Sequence, residues 1–121
     1  MFQRRLSEAP VYNRDGLRSH VLLDADDFGS QHLVVTWVEV VPGAEKRPHV
    51  HPGSEQVYVI VRGTGMMSVA DTQARVGEGD LVFVPPGVTH AIACDGDDPL
   101  IYASATSPPQ SMAELYRHDL A

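Results

Sequence analysis

The sequence predicts an all-β domain, a small closed or sandwiched antiparallel barrel. Three observations carry this reading. Ten glycines and nine prolines punctuate the 121 residues at short intervals, which suits many short strands better than helices. The segments between them are rich in β-branched and aromatic residues, the types that fit a pleated, half-buried surface. No internal repeat or low-complexity linker divides the chain, so residues 1–121 are expected to fold as one domain. A barrel removes exposed sheet edges and leaves a mouth that holds one small ligand.

The elements follow in order. Residues 17–23 read as the first strand, closed by the acidic turn Asp24-Ala25-Asp26-Asp27 and Gly29. Residues 32–41 include Leu33, Val34, Val35, Trp37 and Val38 and stop at Pro42-Gly43, a pair that turns the chain. A nearly continuous apolar run over 56–61 is the next strand, ended by Gly63-Thr64-Gly65. A hairpin is expected over 66–69 and 73–76, around Ala70-Asp71-Thr72, and then a strand over 81–84 stopped by Pro85-Pro86-Gly87. Strands over 90–94 and 100–104 flank the turn Asp95-Gly96-Asp97-Asp98-Pro99. Only the tail reads as helical, with Ser111 and Glu114 in capping-box spacing ahead of Leu115 and Tyr116.

Composition excludes several classes of function. A formal charge of −7 argues against nucleic acid as a partner, because phosphate binding demands clustered Lys and Arg. No apolar stretch approaches the roughly 20 residues of a membrane helix, and the charged start Gln3-Arg4-Arg5 has no apolar core behind it, so neither membrane nor secretion is expected. The single Cys94 rules out an internal disulfide and suits a reducing compartment, hence the cytoplasm. The clusters Asp24-Asp26-Asp27 and Asp95-Asp97-Asp98 lack the glycine and terminal Glu of a calcium loop and read as solvated turns. No phosphate loop, nucleophile elbow or nucleotide fingerprint is present.

The chemistry gathers on three of the six histidines. Alternate residues of an extended chain face one side, so His49 and His51 present two imidazoles to the same face. His90, arriving after Pro85-Pro86-Gly87, completes a metal-binding face. Neutral imidazole binds zinc, copper, iron and nickel, and three of them leave coordination positions for water or substrate. His20, His32 and His118 have no partners at ligand spacing and are expected to be exposed.

The glycines frame these residues in a pattern that resembles the two cupin motifs. Gly43, five residues, His49-Val50-His51, then Gln56 and Gly63 resemble the first, over 43–63. Gly79, five residues, Pro85-Pro86-Gly87, two residues and His90 resemble the second, over 79–94. The resemblance implies a single-domain cupin, a double-stranded β-helix (jelly-roll) barrel, with one divalent transition metal ion (iron, manganese, nickel, zinc, cobalt or copper). It also implies a metal site of His49, His51, His90 and the residue at the family's Glu position.

This chain departs from the pattern at that fourth position. Counting back from Gly63 gives Gln56, while Glu55 satisfies the looser spacing from His51. The two are exclusive in a regular strand, since a one-residue slip reverses the face; the step to Gly63 favours Gln56, with Tyr58 and Ile60 facing in beside it. A neutral amide ligand leaves the ion's charge unreduced and makes it the stronger Lewis acid. Cys94 stands where the family's second motif ends in Asn; it shares His90's face and reads mainly as a small core residue.

Around the metal, Tyr58 offers a phenol as acid or hydrogen-bond donor. Arg47, two residues before the His pair, offers a guanidinium for a substrate carboxylate if it shares their face. Trp37, Met66, Met67 and Phe83 are expected in the core or pocket, and Glu39 at the surface.

The expected function is that of a metal-dependent enzyme on a small molecule bearing a carbonyl, enol or carboxylate. A dioxygenase comes first, because an imidazole-rich site with open positions suits oxygen chemistry. An isomerase or lyase acting on a sugar acid or related keto compound comes second, and a ligand-binding barrel without turnover is the remaining alternative. Small cupins commonly pair, and the apolar 17–23 segment suits packing on a partner's sheet, so a homodimer is expected.

Overall fold

The structure, a computed structural model, describes residues 1–110; the expected helix at 111–116 and His118 lie outside the described residues. Ten strands make up just over half of the described residues: β1 (Val11–Arg14), β2 (Leu17–Leu23), β3 (Val34–Val40), β4 (Glu45–His49), β5 (Glu55–Arg62), β6 (Thr64–Val69), β7 (Thr72–Gly77), β8 (Leu81–Val84), β9 (His90–Cys94) and β10 (Leu100–Ser107). All pairings are antiparallel. They build one six-stranded sheet in the order β1-β2-β3-β10-β5-β8 and one four-stranded sheet in the order β4-β9-β6-β7, the two sheets of a jelly roll.

The core lies between the sheets. Alternation is strict in β3 and β10: Val34, Thr36, Val38 and Val40 are buried, as are Leu100, Tyr102, Ser104 and Thr106, while the residues between them are half-buried. Val40, Tyr58, Ile60, Ile92 and Leu100 are almost wholly excluded from solvent. Each such side chain contributes about 1.5–3 kcal/mol relative to leaving it in water.

The glycines that frame the motifs work as turn residues. Gly43, Gly63 and Gly79 have φ of 82°, 82° and 89°, the left-handed region that side chains with a Cβ resist. At Gly63 space is also short, since a Cβ there would stand 2.5 Å from the Pro99 carbonyl oxygen.

Several expectations need correction. Strands β1 and β4 were not foreseen, because Val11-Tyr12-Asn13-Arg14 and Glu45-Lys46-Arg47-Pro48-His49 carry no apolar alternation. The strand expected over 100–104 runs on to Ser107. Trp37 lies on the outer side of β3, since Thr36 and Val38 face in. Phe83 is 50% exposed and Met66 39% exposed, leaving Met67 as the buried one of the methionine pair. His20, expected at the surface, is buried, with Nε2 3.6 Å from the Glu39 carboxylate. The apolar 17–23 segment is strand β2, paired on one side with β1 and on the other with β3.

Candidate metal centre

Strands β4 and β9 bring the first two imidazoles together. His49 and His90 are direct cross-strand partners, and their rings lie 4.1 Å apart between centroids. His51 comes from the loop just past the end of β4 rather than from an extended strand. Its carbonyl oxygen accepts hydrogen bonds from Gly87 N at 3.0 Å and Ser54 N at 3.4 Å, so the Pro85-Pro86-Gly87 turn helps to hold it. The His51 ring stands 5.1 Å from His49 and 5.4 Å from His90. All three residues are buried, and one ring nitrogen of each lies within 4.8 Å of the other two.

The outer ring nitrogens are tied to the backbone. His49 Nδ1 donates to the Arg47 carbonyl at 2.7 Å, and His90 Nδ1 to the Val88 carbonyl at 3.0 Å. Such bonds set the tautomer and leave Nε2 as a lone pair directed inward. Both ring nitrogens of His51 are buried without a hydrogen-bond partner of good geometry among the described residues; the Gln110 amide is near enough only to raise its proton affinity somewhat.

Gln56 reaches the cluster from β5, whereas Glu55 is exposed. Its Oε1 is 3.0 Å from His90 Nε2, and its Nε2 donates to Ser104 Oγ at 2.6 Å. With the Nδ1 proton of His90 given to Val88, its Nε2 lone pair faces the Gln56 amide, which in one orientation donates to it while accepting from the Ser104 hydroxyl and in the other turns its oxygen toward the cluster. Burial holds the His90 pKa below its ordinary value. His49 is drawn down to about 3, first by burial and then by the charge of His90, and His51 to about 4 for the same two reasons. The three imidazoles are therefore neutral and carry free lone pairs, the form in which histidine binds a metal. A divalent ion fits that donor set of three imidazoles and one amide oxygen.

The cluster opens into a cavity of about 500 Å³, counting the solvent at its mouth. Its lining includes the buried residues Ser19, Thr36, Ser104 and Thr106, which bring hydroxyls, and Tyr58 and Tyr102. Tyr58 stacks on Tyr102 at 4.7 Å and meets the His90 ring edge-on at 5.9 Å. Complete burial raises its pKa well above the ordinary value, against a smaller opposing effect of the Tyr102 hydrogen bond, so the phenol stays protonated and acts as a donor.

Arg47 is not brought to this cavity. Its guanidinium is exposed and bonded to Asp15 at 2.6 Å, and its carbonyl is what supports His49. The cation lining the cavity is Lys46, which strand parity had turned away. The register explains the exchange: Glu45 pairs with Ala93 and Lys46 with Ile92, yet His49 pairs with His90. One extra residue on β4 lies between them, a bulge that reverses the alternation. Pro48, which cannot donate to a ladder, is the sequence signal that marks such an irregularity. Cys94 faces inward from β9 but donates its thiol to the Asp98 carbonyl at 3.2 Å, closing the turn before β10.

Fold and histidine cluster together define a cupin with a site of the metal-binding type. Residues 36–106 match the cupin domain family, and the chain belongs to that family. It is 28% identical over 102 residues to an uncharacterized protein of Methanocaldococcus jannaschii, covering 84% of this chain and 82% of that one. It is 29% identical over 105 residues to the oxalate decarboxylase OxdC of Bacillus subtilis, covering 82% of this chain and 27% of that longer enzyme. A solved structure from Thermotoga maritima, described as a predicted oxalate decarboxylase, superposes with a TM-score of 0.81 over 88% of this chain and 98% of its own, at 19% identity; that likeness is one of fold.

Proposed function

We propose that this protein is a metal-dependent enzyme that binds a small molecule bearing carbonyl and hydroxyl oxygens, with His49, His51, Gln56 and His90 as the ligand set. The observation that carries this is the buried cluster of three histidines, one ring nitrogen of each within 4.8 Å of the other two, with the Gln56 amide 3.0 Å from His90 Nε2. The ion would supply Lewis acidity at a substrate oxygen. The protein's own part is to keep the imidazoles neutral, to aim Gln56 through Ser104, and to hold a protonated Tyr58 at the cavity wall as a hydrogen-bond donor to developing negative charge.

The hydroxyl wall favours isomerase or lyase chemistry on a polar, hydroxylated substrate over oxidation of an apolar one. Dioxygenase activity is the second reading, supported by the imidazole-rich donor set. Two measurements separate the readings. Metal analysis of the purified protein beside His49→Ala tests the site: about one equivalent that disappears in the variant supports it, and no metal after loading either protein sinks it. Incubation of the loaded protein with small hydroxy-keto compounds in D2O without oxygen tests the chemistry. Deuterium entering beside the carbonyl supports the isomerase or lyase, whereas turnover only with oxygen uptake reverses the ranking.

A homodimer and a cytoplasmic location complete the proposal. The outer face of the six-stranded sheet exposes Leu81 and Phe83, which supports packing against a second copy, and the lone buried thiol suits a reducing compartment. A monomer mass by light scattering at micromolar concentration would refute the dimer.

A further inference from the structure

Among the described residues lining the cavity, two side chains keep buried polar atoms without a hydrogen-bond partner: His51 at both ring nitrogens, and Gln110 at its amide oxygen. Burying such groups unpaired is costly, because each has given up its water. His51 is also the odd member of the cluster. His49 and His90 each donate the Nδ1 proton to the carbonyl two residues back, at Arg47 and Val88. His51 stands past the end of β4 and lacks that local support. Resting on the metal-site reading above, we infer that Gln110 is the positioning residue for His51: its amide oxygen accepts the ring proton when the ion takes the other ring nitrogen.

One arrangement satisfies both groups. A neutral imidazole has one lone pair and one N–H. An ion on the lone pair fixes the proton on the outer nitrogen, where it needs an acceptor. Gln110 supplies that acceptor. The ring proton in turn decides which way round the amide sits, since the NH2 end has no lone pair to offer it. The backbone holds Gln110 in place. β10 ends at Ser107, and the arm that follows is gripped by Ser54, whose hydroxyl donates to the Pro108 carbonyl at 2.7 Å. Ser54 is 2% exposed, and its own N–H donates to the His51 carbonyl at 3.4 Å. One short loop thus ties His51 to the arm that carries Gln110, independently of β9. All three imidazoles are then supported alike, each by an oxygen on its outer nitrogen. Two of those oxygens come from neighbouring backbone and the third from a side chain distant in the sequence.

The test uses the full chain, its histidine rings labelled with nitrogen-15, loaded with diamagnetic zinc and followed by NMR. Zinc affinity is measured beside it by competition with a chromophoric chelator. In the wild type the His51 ring should show one N–H proton that exchanges slowly with water. Gln110→Leu should shift that proton upfield and speed its exchange, with the ring protons of His49 and His90 left in place, and should weaken zinc binding by about tenfold or more. Gln110→Glu keeps an acceptor oxygen and should restore both the slow proton and an affinity within about threefold of the wild type. A His51 ring proton that is unprotected in the wild type or unmoved in Gln110→Leu overturns the inference and leaves the metal site standing. So does a loss of affinity that Gln110→Glu shares in full. Failure of the wild type to bind zinc overturns both.

Discussion

Strands β10 and β4 face each other across the cavity and are built in opposite ways. β10 is the central strand of the larger sheet, paired along its length with β3 and β5 and strictly alternating in burial. β4 is a margin strand of the smaller sheet, charged, broken by Pro48 and bulged before His49. The regular strand supplies the wall, with apolar residues at the closed end and the hydroxyls of Ser104 and Thr106 near the histidines. The irregular strand supplies chemistry. A bulge lets Lys46 and His49, three residues apart, share one face, which regular pleating forbids. Irregularity costs stability in the ladder, and it is placed where few core contacts depend on it.

That contrast can be broken experimentally. The largest effect expected is at the histidines: His49→Ala or His90→Ala should abolish metal uptake, measured by elemental analysis, while folding persists by circular dichroism. In the regular sheet the loss should be in stability instead. Leu100→Ala removes a fully buried side chain and is expected to cost about 2–5 kcal/mol in urea unfolding; Arg18→Ala, exposed on β2 of the same sheet, should stay within about 0.5 kcal/mol. Equal losses at the two positions would refute the inward and outward assignment of the sheet.

Ser104 joins the two regions, since its hydroxyl holds the Gln56 amide. Ser104→Ala should lower metal affinity by about tenfold, the range of outer ligand supports, with Thr106→Ala as the nearby control. An unchanged affinity would mean that Ser104 does not orient Gln56. A pH series of the metal-free protein gives a smaller, graded effect. His49 and His51 fall from the ordinary 6.5 to about 3 and about 4 in the folded protein, so the unfolded chain binds these protons first. Stability is then greatest above pH 6.5 and falls as pH drops toward 4 and 3, and His49→Ala should flatten that slope. Smallest of all is Asp15→Ala, which frees the exposed Arg47 guanidinium: a change of about 0–1 kcal/mol, with no effect on metal binding.

Much of the fold is legible in the sequence. The strands with apolar alternation or continuous apolar runs were found at nearly their observed limits, because burial on one face imposes a period of two on the sequence. The glycine frame was legible too, since positive φ at Gly43, Gly63 and Gly79 restricts the residue type. β4 was missed because its inward positions hold a lysine and a histidine in place of apolar residues. Trp37 and Phe83 were placed in the core on residue type alone, and the parity set by their neighbours overrules it. His20 was expected outside for want of a ligand partner, yet Glu39 on the adjacent strand gives it one that sequence distance conceals.

By itself, then, the sequence determined the all-β class, the turn positions and the set of residues able to hold a metal, because backbone conformation and imidazole chemistry are local properties. The tertiary structure alone decided that Lys46 and not Arg47 faces the cavity, that Ser104 holds the Gln56 amide, and that this amide meets His90 Nε2 across 3.0 Å. Those relations depend on the register between strands distant in the chain, where one extra residue in a margin strand is enough to exchange inside for outside.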